Sequence, residues 1–451
     1  MIRNERIKIL NNLSENLNGK YVFYMMQASQ RIRYNHALFY AANEANRLNK
    51  PLLVGFSIMP YFPNANIRHY YFMFEGLEEL VKDFKNMGVK FVIKFGNYED
   101  IFEILSKDSV LSVIDKGYLR FQKKIREEAV KRAKVKVVEV ESDVLVPVEY
   151  ASNKKEPYAR TIRNKLIGKI DYFLDENFSM PEIRNKAYSS IKTDSDFGSK
   201  EEALKRLKVG KLSSVSKFFK GGYSEAFKRL NVFLKEKIYN YDKRNDPSEN
   251  FTSDLSPYLH FGQISPIEII KEAIKNKIQP DILDSFIDEL VVWRELARNF
   301  CAYEKDYDKH FCISDWAKKE LDFHLKDKRA YVYSPKQIEN YSTHDEYWNA
   351  AQKELVLTGK IHNYMRMYWG KKIIEWSKDW REAFDILIYL NDKYAIDGRD
   401  PNGYLNIAWC FGKFDRPFFE MPIFGKVRYM SFKGLERKFN MSGYIKRIKI
   451  L

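Results

Sequence analysis

The stretch that decides the fold of the N-terminal half is "KYVFYMMQASQRIRYNHALFYAANEANRLNKPLLVGFSI", residues 20–58. It begins with an apolar run rich in aromatic residues, continues with an amphipathic segment, and ends with a second apolar run. Short apolar runs of this kind predict buried strands, and the segment between them has the period of a helix. The order strand, helix, strand predicts a parallel β-α-β unit.

The same alternation continues to about residue 147. Helix-like segments such as "YYFMFEGLEELVKDFKNMG" and "LRFQKKIREEAVKRAK" separate further apolar runs, which end with "VKVVEVESDVLVP". Five strands and four helices predict a doubly wound parallel sheet, Rossmann-like, for a domain spanning residues 1–150. Sheets of this type bind ligands at the carboxyl ends of their strands. The turn after the first strand carries no G-x-G-x-x-G, and no G-x-x-x-x-G-K-[ST] occurs, so the usual dinucleotide and triphosphate loops are excluded.

The remainder of the chain has a different character. Residues 151–222 are polar and broken, which predicts a connecting segment with short helices. From 223 to 451 the pattern is helical and aromatic, with "ILDSFIDELVVWRELARNF" and "WREAFDILIYLNDKYA" as clear amphipathic helices. The predicted fold class is therefore α/β plus all-α, in two domains.

Composition limits the choice of function. Lys and Arg number 77 against 61 Asp and Glu, a net charge of +16, which fits a polyanionic partner such as nucleic acid and equally a solvated lysine-rich surface. Cys301, Cys312 and Cys410 have no metal-ligand spacing, so we expect neither a disulfide framework nor a metal site. No long apolar run or signal-like start is present; we expect a cytoplasmic protein without a membrane span.

Two segments of the helical half combine polar and aromatic side chains. "TSDLSPYLHFGQIS", from Thr252, has hydroxyls where a helix begins, and these can cap the helix or hold phosphate. In "DELVVWREL", Glu289 and Trp293 are four residues apart and share one helix face. A carboxylate beside an indole suits the binding of a flat heterocycle, and it is equally a half-buried indole next to a solvated acid.

Two further segments lie closer to the C-terminus. In "IHNYMRMYWGKKIIEW", Trp369 and Trp376 share a face as core residues do, while Arg366 would need an anion if it were buried. "DGRDPNG" leaves helix geometry at its Gly and Pro residues and carries Asp397 and Asp400. A charged turn between apolar stretches is typical of a site wall.

Taken together, these segments resemble the photolyase and cryptochrome flavoproteins, most closely the class II cyclobutane pyrimidine dimer photolyases. The motifs that carry the resemblance are "LSPYLHFGQIS", "DELVVWREL", "TGKIHNYMRMYWGKKIIEW" and "LNDKYAIDGRDPNGY", with "ASQRIRYNHAL" and "GKVRYMSF" near the two ends. The resemblance implies a helical domain that holds FAD, fully reduced in the active form. It also implies light-driven electron donation from the flavin to a pyrimidine dimer flipped out of UV-damaged DNA.

The resemblance also assigns residues. Arg366 and Asp397 resemble an ion pair beside the isoalloxazine, and Asn391 resembles the residue near flavin N5, where a neutral amide can bond either protonation state. The implied cofactor-binding set is Tyr241, Thr252, Ser253, Asp254, Leu255, Ser256, Arg294, Asn363, Arg366, Asn391, Asp397, Gly398 and Asp400. The implied catalytic set is Glu289, Trp293, Met367, Asn391 and Trp409. The implied electron-transfer tryptophans, leading towards the surface, are Trp348, Trp369 and Trp376.

The implied DNA-binding set is Arg244, Asn245, Glu289, Trp293, Trp409, Asp415, Arg416 and Phe418. In the family, the loop after Trp409 fills the gap that the flipped lesion leaves in DNA. Here that loop, "CFGKFDRPF", is one residue shorter than the family pattern and has Phe418 in place of the usual tryptophan. Because phenylalanine can still wedge between bases, we expect altered affinity and retained activity.

Three alternatives stay open at this point. They are a cryptochrome-like blue-light sensor, a (6-4) photolyase, and, if the resemblance were spurious, a nucleotide-binding α/β protein with a helical RNA-binding domain. The family commonly acts as a monomer, and we expect the same here. A second, antenna chromophore could be a deazaflavin or a folate, and no short motif decides between them or shows that one is bound.

Overall fold

The computed structural model describes residues 2–176, 179–186, 195–207 and 217–451. Its N-terminal part is a single six-stranded sheet in the order β1-β6-β5-β2-β3-β4. The strands are β1 (Ile7–Ile9), β2 (Tyr21–Met26), β3 (Leu52–Ile58), β4 (Lys90–Phe95), β5 (Ser109–Asp115) and β6 (Val137–Val140). β1 pairs antiparallel with β6, and the other four pairings are parallel.

The sheet is covered on both faces by helices. The covering helices are α1 (His36–Arg47), α2 (Ile67–Asn86), α3 (Tyr98–Ser106) and α4 (Arg120–Arg132). Along β2, Val22 and Tyr24 belong to the core that includes α1 and α2, whereas Tyr21 and Phe23 belong to the separate core under α3 and α4. Successive side chains of a strand point to opposite faces, so both faces are buried and the strand reads as continuously apolar.

The predicted doubly wound sheet is confirmed, with two differences. The last predicted strand is shorter than the run that suggested it, because regular pairing is confined to β6. β1 is an additional antiparallel edge strand that the pattern did not indicate. It has three residues, and the last two, Lys8 and Ile9, are exposed, so it carries almost no periodic signal.

Helices make up the rest of the described chain. The first group is α5 (Val148–Ala151), α6 (Ala159–Ile167), α7 (Ile170–Leu174), α8 (Lys200–Arg206), α9 (Tyr223–Val232), α10 (Ser256–His260), α11 (Pro266–Lys275), α12 (Pro280–Ile287) and α13 (Arg294–Tyr303). The second group is α14 (Asp315–Phe323), α15 (Pro335–Glu339), α16 (Glu346–Thr358), α17 (Asn363–Trp376), α18 (Trp380–Tyr394), α19 (Pro401–Cys410), α20 (Phe432–Lys438) and α21 (Met441–Lys449).

Shorter helical turns join some of these elements. Turns of 3-10 helix lie at Asn4–Arg6, Ile238–Lys243, His310–Cys312 and His324–Lys326, and π-helical turns lie at Phe233–Lys237 and Asp288–Trp293. Short helices do occur in the predicted connecting segment. Part of that segment, 177–178, 187–194 and 208–216, lies outside the described residues, and its role as a linker stays a prediction.

Buried polar contacts join the sheet to the helical part. The carboxylate of Glu295 on α13 accepts the backbone N–H groups of Leu145 and Val146, at 2.5 and 3.2 Å. Asp143, just after β6, binds both Arg294 and Arg298 of α13. One apolar core also runs from the α1 and α2 face of the sheet into the helices. In the described residues, no helix has the length and apolarity needed to span a membrane.

Candidate active site

A cavity of about 580 Å³ opens between the start of α10, the π-helical turn before α13, and helices α17 to α19. This is the size range of pockets that bury an organic ligand. Most of the predicted site residues line it, although they come from segments far apart in the chain. Those residues are Tyr241, Arg244, Asn245, Thr252, Ser253, Asp254, Leu255, Ser256, Glu289, Trp293, Arg294, Asn363, Arg366, Met367, Asn391, Asp397, Asp400 and Trp409.

One wall is the loop that leads into α10. Asp254 has a positive φ of 57°, and its carboxylate is bound by the ammonium groups of Lys360 and Lys237 and by the hydroxyl of Thr252. These two cations hold the pKa of Asp254 well below its usual range. Asp254 therefore fixes a tight turn in the loop, whose residues from Thr252 to Ser256 line the cavity.

The opposite wall is formed by α17 and α18. Arg366 donates a hydrogen bond of 2.6 Å to the side-chain oxygen of the buried Asn391. The side-chain nitrogen of Asn391 then lies against Gly403, where a Cβ would come within 2.9 Å. The described residues contain no ion pair between Arg366 and Asp397, and their pairing beside a flavin stays a prediction. Both side chains nevertheless border the same space.

The floor is a buried ionic network. Arg298 binds Asp143 at 2.9 Å and Asp400 at 3.3 Å, and Asp400 also contacts the His260 ring at 3.1 Å. The guanidinium of Arg298 lowers the pKa of Asp400 far below its usual value. Arg294, predicted to bind a cofactor, lines the cavity but gives its guanidinium to the Asp143 side chain and backbone. In this structure Arg294 therefore mainly joins helix α13 to the segment that follows strand β6.

The remaining wall is aromatic. The rings of Trp293 and Trp409 stack with centroids 4.6 Å apart and an interplanar angle of 21°, and both are partly exposed. Met367 lies beside them in the cavity lining, 3.8 Å from the Cys410 thiol. Glu289 and Arg244 form an ion pair of 3.1 Å at the same opening. This wall can receive a flat, apolar ligand with a carboxylate and a guanidinium at its edge.

His362 is a cavity residue that the sequence patterns did not assign. It is 7% exposed, and among the described residues neither ring nitrogen has a hydrogen-bond partner. Burial lowers the pKa of His362 to about 4, so the ring is neutral at physiological pH. A neutral imidazole with both nitrogens free can donate to a ligand and accept from it. The only signal in the sequence is its position beside Asn363.

The three predicted electron-transfer tryptophans lie outside the cavity lining, with Trp348 on α16 and Trp369 and Trp376 on α17. The Trp348 indole donates to the backbone oxygen of Trp369 at 3.0 Å, and its ring is 5.3 Å from that of Trp376. All three are at most 1% exposed. Trp376 therefore does not itself reach the surface, and other rings must complete any path to solvent.

Four other predicted residues also lie outside the lining. Gly398 packs beneath the site, since a Cβ there would lie 2.8 Å from the backbone oxygen of Asn391. Asp415 accepts a hydrogen bond of 2.8 Å from the Trp409 indole. Arg416 and Phe418 are exposed on the loop that follows.

That loop presents two adjacent phenylalanines differently. Phe418 is 41% exposed, its backbone N–H donates to Lys426, and the guanidinium of Arg428 lies 5.8 Å from its ring centre. Phe419 is 93% exposed. Phe419, and not the predicted Phe418, is therefore the freely projecting ring.

A second cavity, of about 130 Å³, lies at the carboxyl ends of the parallel strands. Its lining includes Gln27 after β2, Met59 after β3 and Lys116 after β5. This is the position at which a doubly wound sheet binds ligands. His260, Arg298 and Asp400 line both cavities, so a single layer of side chains separates them.

Comparison with known proteins agrees with this arrangement. The family model described as DNA photolyase matches residues 22–167. The deoxyribodipyrimidine photo-lyase of Methanothermobacter thermautotrophicus is 44% identical over 451 residues, covering 100% of this chain and 99% of that protein. The chain belongs to the DNA photolyase family. The deoxyribodipyrimidine photo-lyase of Potorous tridactylus is 37% identical, covering 94% of this chain and 80% of that protein.

A solved structure of an archaeal photolyase from Sulfolobus tokodaii, described with two FAD molecules, has a TM-score of 0.69 at 19% identity. It covers 94% of this chain and 89% of that one. The predicted α/β plus helical fold and the family resemblance are thus confirmed. The names of the relatives support light-driven DNA repair as the activity.

Proposed function

We propose that the chain is a class II photolyase that repairs cyclobutane pyrimidine dimers with light, using bound FAD in its fully reduced form. The observation that carries the proposal is the cavity itself. It joins a polar half, formed by the loop before α10 and the Arg366–Asn391 pair, to an open aromatic half formed by Trp293 and Trp409. A ligand in the polar half would face a second ligand that enters over the indoles.

The polar half fits FAD by its donor set. His362 has two buried ring nitrogens without a partner among the described residues, Asn391 has a side-chain amide in the lining, and Gly403 leaves room against that amide. Thr252, Ser253 and Ser256 supply hydroxyls suited to phosphate and ribityl oxygens. Bound there and reduced, FAD supplies a light-driven one-electron donor.

The residues around the flavin have separable tasks in this proposal. Asn391 would face a ring-nitrogen position with its side-chain NH₂, because its oxygen accepts a hydrogen bond of 2.6 Å from Arg366 that fixes the orientation of the amide. Asp397 would face the same ring edge. Asp254 acts indirectly, since its contacts with Lys360 and Thr252 shape the phosphate-facing loop.

The aromatic half would hold the flipped dimer. Trp293 and Trp409 offer apolar faces, and Met367 adds a flexible apolar contact. Glu289, held by Arg244, would accept a hydrogen bond from the pyrimidine edge. The flipped bases would stack on these indole faces, with the Glu289–Arg244 ion pair at their edge.

The net charge of +16 predicts salt-sensitive DNA binding. Each phosphate that a Lys or Arg neutralises releases counterions, so affinity falls about tenfold between about 50 and 200 mM salt for every two phosphates contacted. We expect a linear plot of log affinity against log salt for duplex DNA containing one thymine dimer. Arg416→Gln should make this slope shallower. An unchanged affinity over this salt range would contradict a phosphate-contacting surface.

Phe419 is predicted to fill the gap left by the flipped lesion. Phe419→Ala should weaken binding to duplex DNA with a thymine dimer by about 1–3 kcal/mol, because one base loses an aromatic stacking partner. Phe418→Ala is the matched control and should have the smaller effect, since that ring is held against the protein. Repair of the same dimer in single-stranded DNA, where no gap forms, should be unchanged in both variants. If Phe418→Ala weakens binding to duplex DNA more than Phe419→Ala does, Phe418 is the residue that fills the gap.

The decisive test of the proposed function is illumination of the reduced protein with defined lesions. We expect cyclobutane thymine dimers to be split and (6-4) products to remain, measured by chromatography of the nucleotides. Repair of (6-4) products alone would assign that activity instead. Binding of FAD without repair of either lesion would favour a cryptochrome-like sensor.

Two further expectations belong to the same proposal. The cavity at the strand ends is where an antenna chromophore, a deazaflavin or a folate, would bind beside Lys116 and Tyr118, and the absorption spectrum of the purified protein would identify it. We also propose that the protein acts as a cytoplasmic monomer, associated with the nucleoid when it is bound to DNA.

A further inference from the structure

The innermost and outermost tryptophans of the proposed electron path are equally buried, which leaves the path without a surface end. Trp376 is 1% exposed. Its ring is packed edge to face by Tyr333, at 5.3 Å and 83°, and by His344, at 5.5 Å and 64°. The backbone N–H of Tyr333 also donates to the backbone oxygen of Trp376 at 3.3 Å. These contacts fix the phenol against the indole.

Tyr333 and His344 are also bonded to each other. The Tyr333 hydroxyl lies 2.7 Å from Nδ1 of His344, and it accepts a hydrogen bond of 3.0 Å from the backbone N–H of the same residue. The phenol donates its proton to Nδ1 when His344 carries its own proton on Nε2. The His344 ring is exposed and stacks on Tyr331 at 3.6 Å, and Tyr331 is 48% exposed.

This arrangement has a specific redox consequence. A phenol that loses an electron becomes a very strong acid, so tyrosine is oxidised readily only where a base can take its proton in the same step. An imidazole nitrogen at hydrogen-bond distance is such a base. Among the described residues that pack on Trp376, Tyr333 has both features: its ring contacts the indole, and its hydroxyl is hydrogen-bonded to the imidazole of His344.

We propose that Tyr333 is the terminal electron donor of the path and that His344 accepts its proton. The proposal rests on the proposed function, which supplies an oxidised Trp376 after light-driven reduction of FAD. In the step, the Trp376 radical cation takes one electron from Tyr333 and becomes neutral tryptophan. The Tyr333 proton moves to Nδ1 of His344, which leaves a neutral tyrosyl radical and an imidazolium. A small-molecule thiolate in solution then gives one electron to the tyrosyl radical and becomes a thiyl radical, and the proton moves back from His344 to the Tyr333 oxygen.

The tyrosine would serve two purposes that Trp376 cannot serve. It brings the oxidising equivalent from a buried ring to one that a dissolved reductant can approach. It also couples the electron transfer to a proton transfer, so that return of the electron from Trp376 to Tyr333 must wait for the proton to come back. Both effects favour a lasting reduction of the cofactor.

The test is transient absorption of the FAD-loaded, oxidised protein after a light pulse. In the unaltered protein we expect an indole radical signal that converts to a tyrosyl signal, and this conversion should be slower in D₂O. Tyr333→Phe should remove the tyrosyl signal, prolong the indole signal, and lower the yield of thiol-dependent photoreduction several-fold. His344→Gln should slow the conversion. Tyr331→Phe is the matched control, and it should retain the signal because that hydroxyl is not bonded to His344.

Several outcomes would overturn the inference. A tyrosyl signal that persists in Tyr333→Phe and is lost in Tyr368→Phe would assign the role to Tyr368, whose hydroxyl is bonded to Asp345. If neither His344→Gln nor D₂O changes the rate at which the indole signal converts to the tyrosyl signal, proton transfer to His344 is not part of the step. Thymine dimer repair by pre-reduced protein should be unchanged in Tyr333→Phe. If the unaltered protein forms no indole radical, the tryptophan path itself fails, a result distinct from loss of the tyrosine step alone.

Discussion

Trp369→Phe is expected to abolish most photoreduction of oxidised FAD while leaving repair by pre-reduced protein intact. Trp369 follows the cavity residues Arg366 and Met367 on α17, and its backbone oxygen accepts the indole N–H of Trp348. It is thus the tryptophan that joins the cavity to the other two. Phenylalanine is much harder to oxidise than tryptophan, and electron transfer across the resulting gap slows exponentially with distance. The two rates are measured separately, by flavin absorbance under illumination and by dimer splitting.

Trp380→Phe is the matched control for this experiment. Trp380 is a buried tryptophan outside the proposed path, 2% exposed, and its indole donates to Asp322 at 2.9 Å. Its substitution removes the same number of core atoms, yet it packs against His310 and Phe411 and not against the proposed path. We expect it to retain photoreduction. Equal loss of photoreduction and repair in Trp369→Phe would show that the substitution acts through the fold and not through electron transfer.

The elements that the sequence predicts well are those with a strong local signal. Two buried faces make each parallel strand continuously apolar, and the helices between the strands have clear amphipathic periods, so β2 to β6 and α1 to α4 could be predicted. The short strand β1 could not, because its pairing with β6 depends on a distant segment. The residues of the cavity lining were predicted from the motif resemblance to a known family. Periodicity could not predict them, because they come from segments that are far apart in the chain.

Pairwise contacts inside the site were harder to predict. The family resemblance paired Arg366 with Asp397, whereas in this structure the arginine binds the Asn391 amide. Arg294 looked like a cavity residue, yet its charge is satisfied by Asp143 from the other part of the molecule. Side-chain partners depend on where the chain segments cross in space. The same reason explains why spacing could not identify the exposed Phe419, or His362, whose ring has no hydrogen-bond partner among the described residues.

Asp143→Asn is expected to lower the free energy of unfolding by about 3–5 kcal/mol, the cost of leaving a buried charge without its partner. The Asp143 carboxylate is 13% exposed and binds Arg294 and Arg298, whose side chains are 4% and 2% exposed. An asparagine keeps the shape and loses the charge. Arg298 retains Asp400, so most of the loss should come from Arg294. Urea unfolding followed by circular dichroism measures the change.

The control is Asp108→Asn, which breaks an ion pair of 2.9 Å with Lys20 whose side chains are about half exposed. Such a pair should contribute at most about 1 kcal/mol. Equal destabilisation by the two variants would contradict a special role for Asp143.

Acid should reproduce the effect of Asp143→Asn in the unaltered protein. Burial tends to raise the pKa of Asp143, but the two guanidinium groups outweigh it and hold the pKa below 3.8, its ordinary value. The stabilisation is therefore complete above that value and is lost as the pH falls through the lower pKa of the folded state. Because Asp143→Asn has no proton to gain, it should lose less stability than the unaltered protein between pH 5 and acid. The difference in stability between the two should narrow as the pH falls, and a difference that is independent of pH would show that Asp143 acts by packing and not by charge.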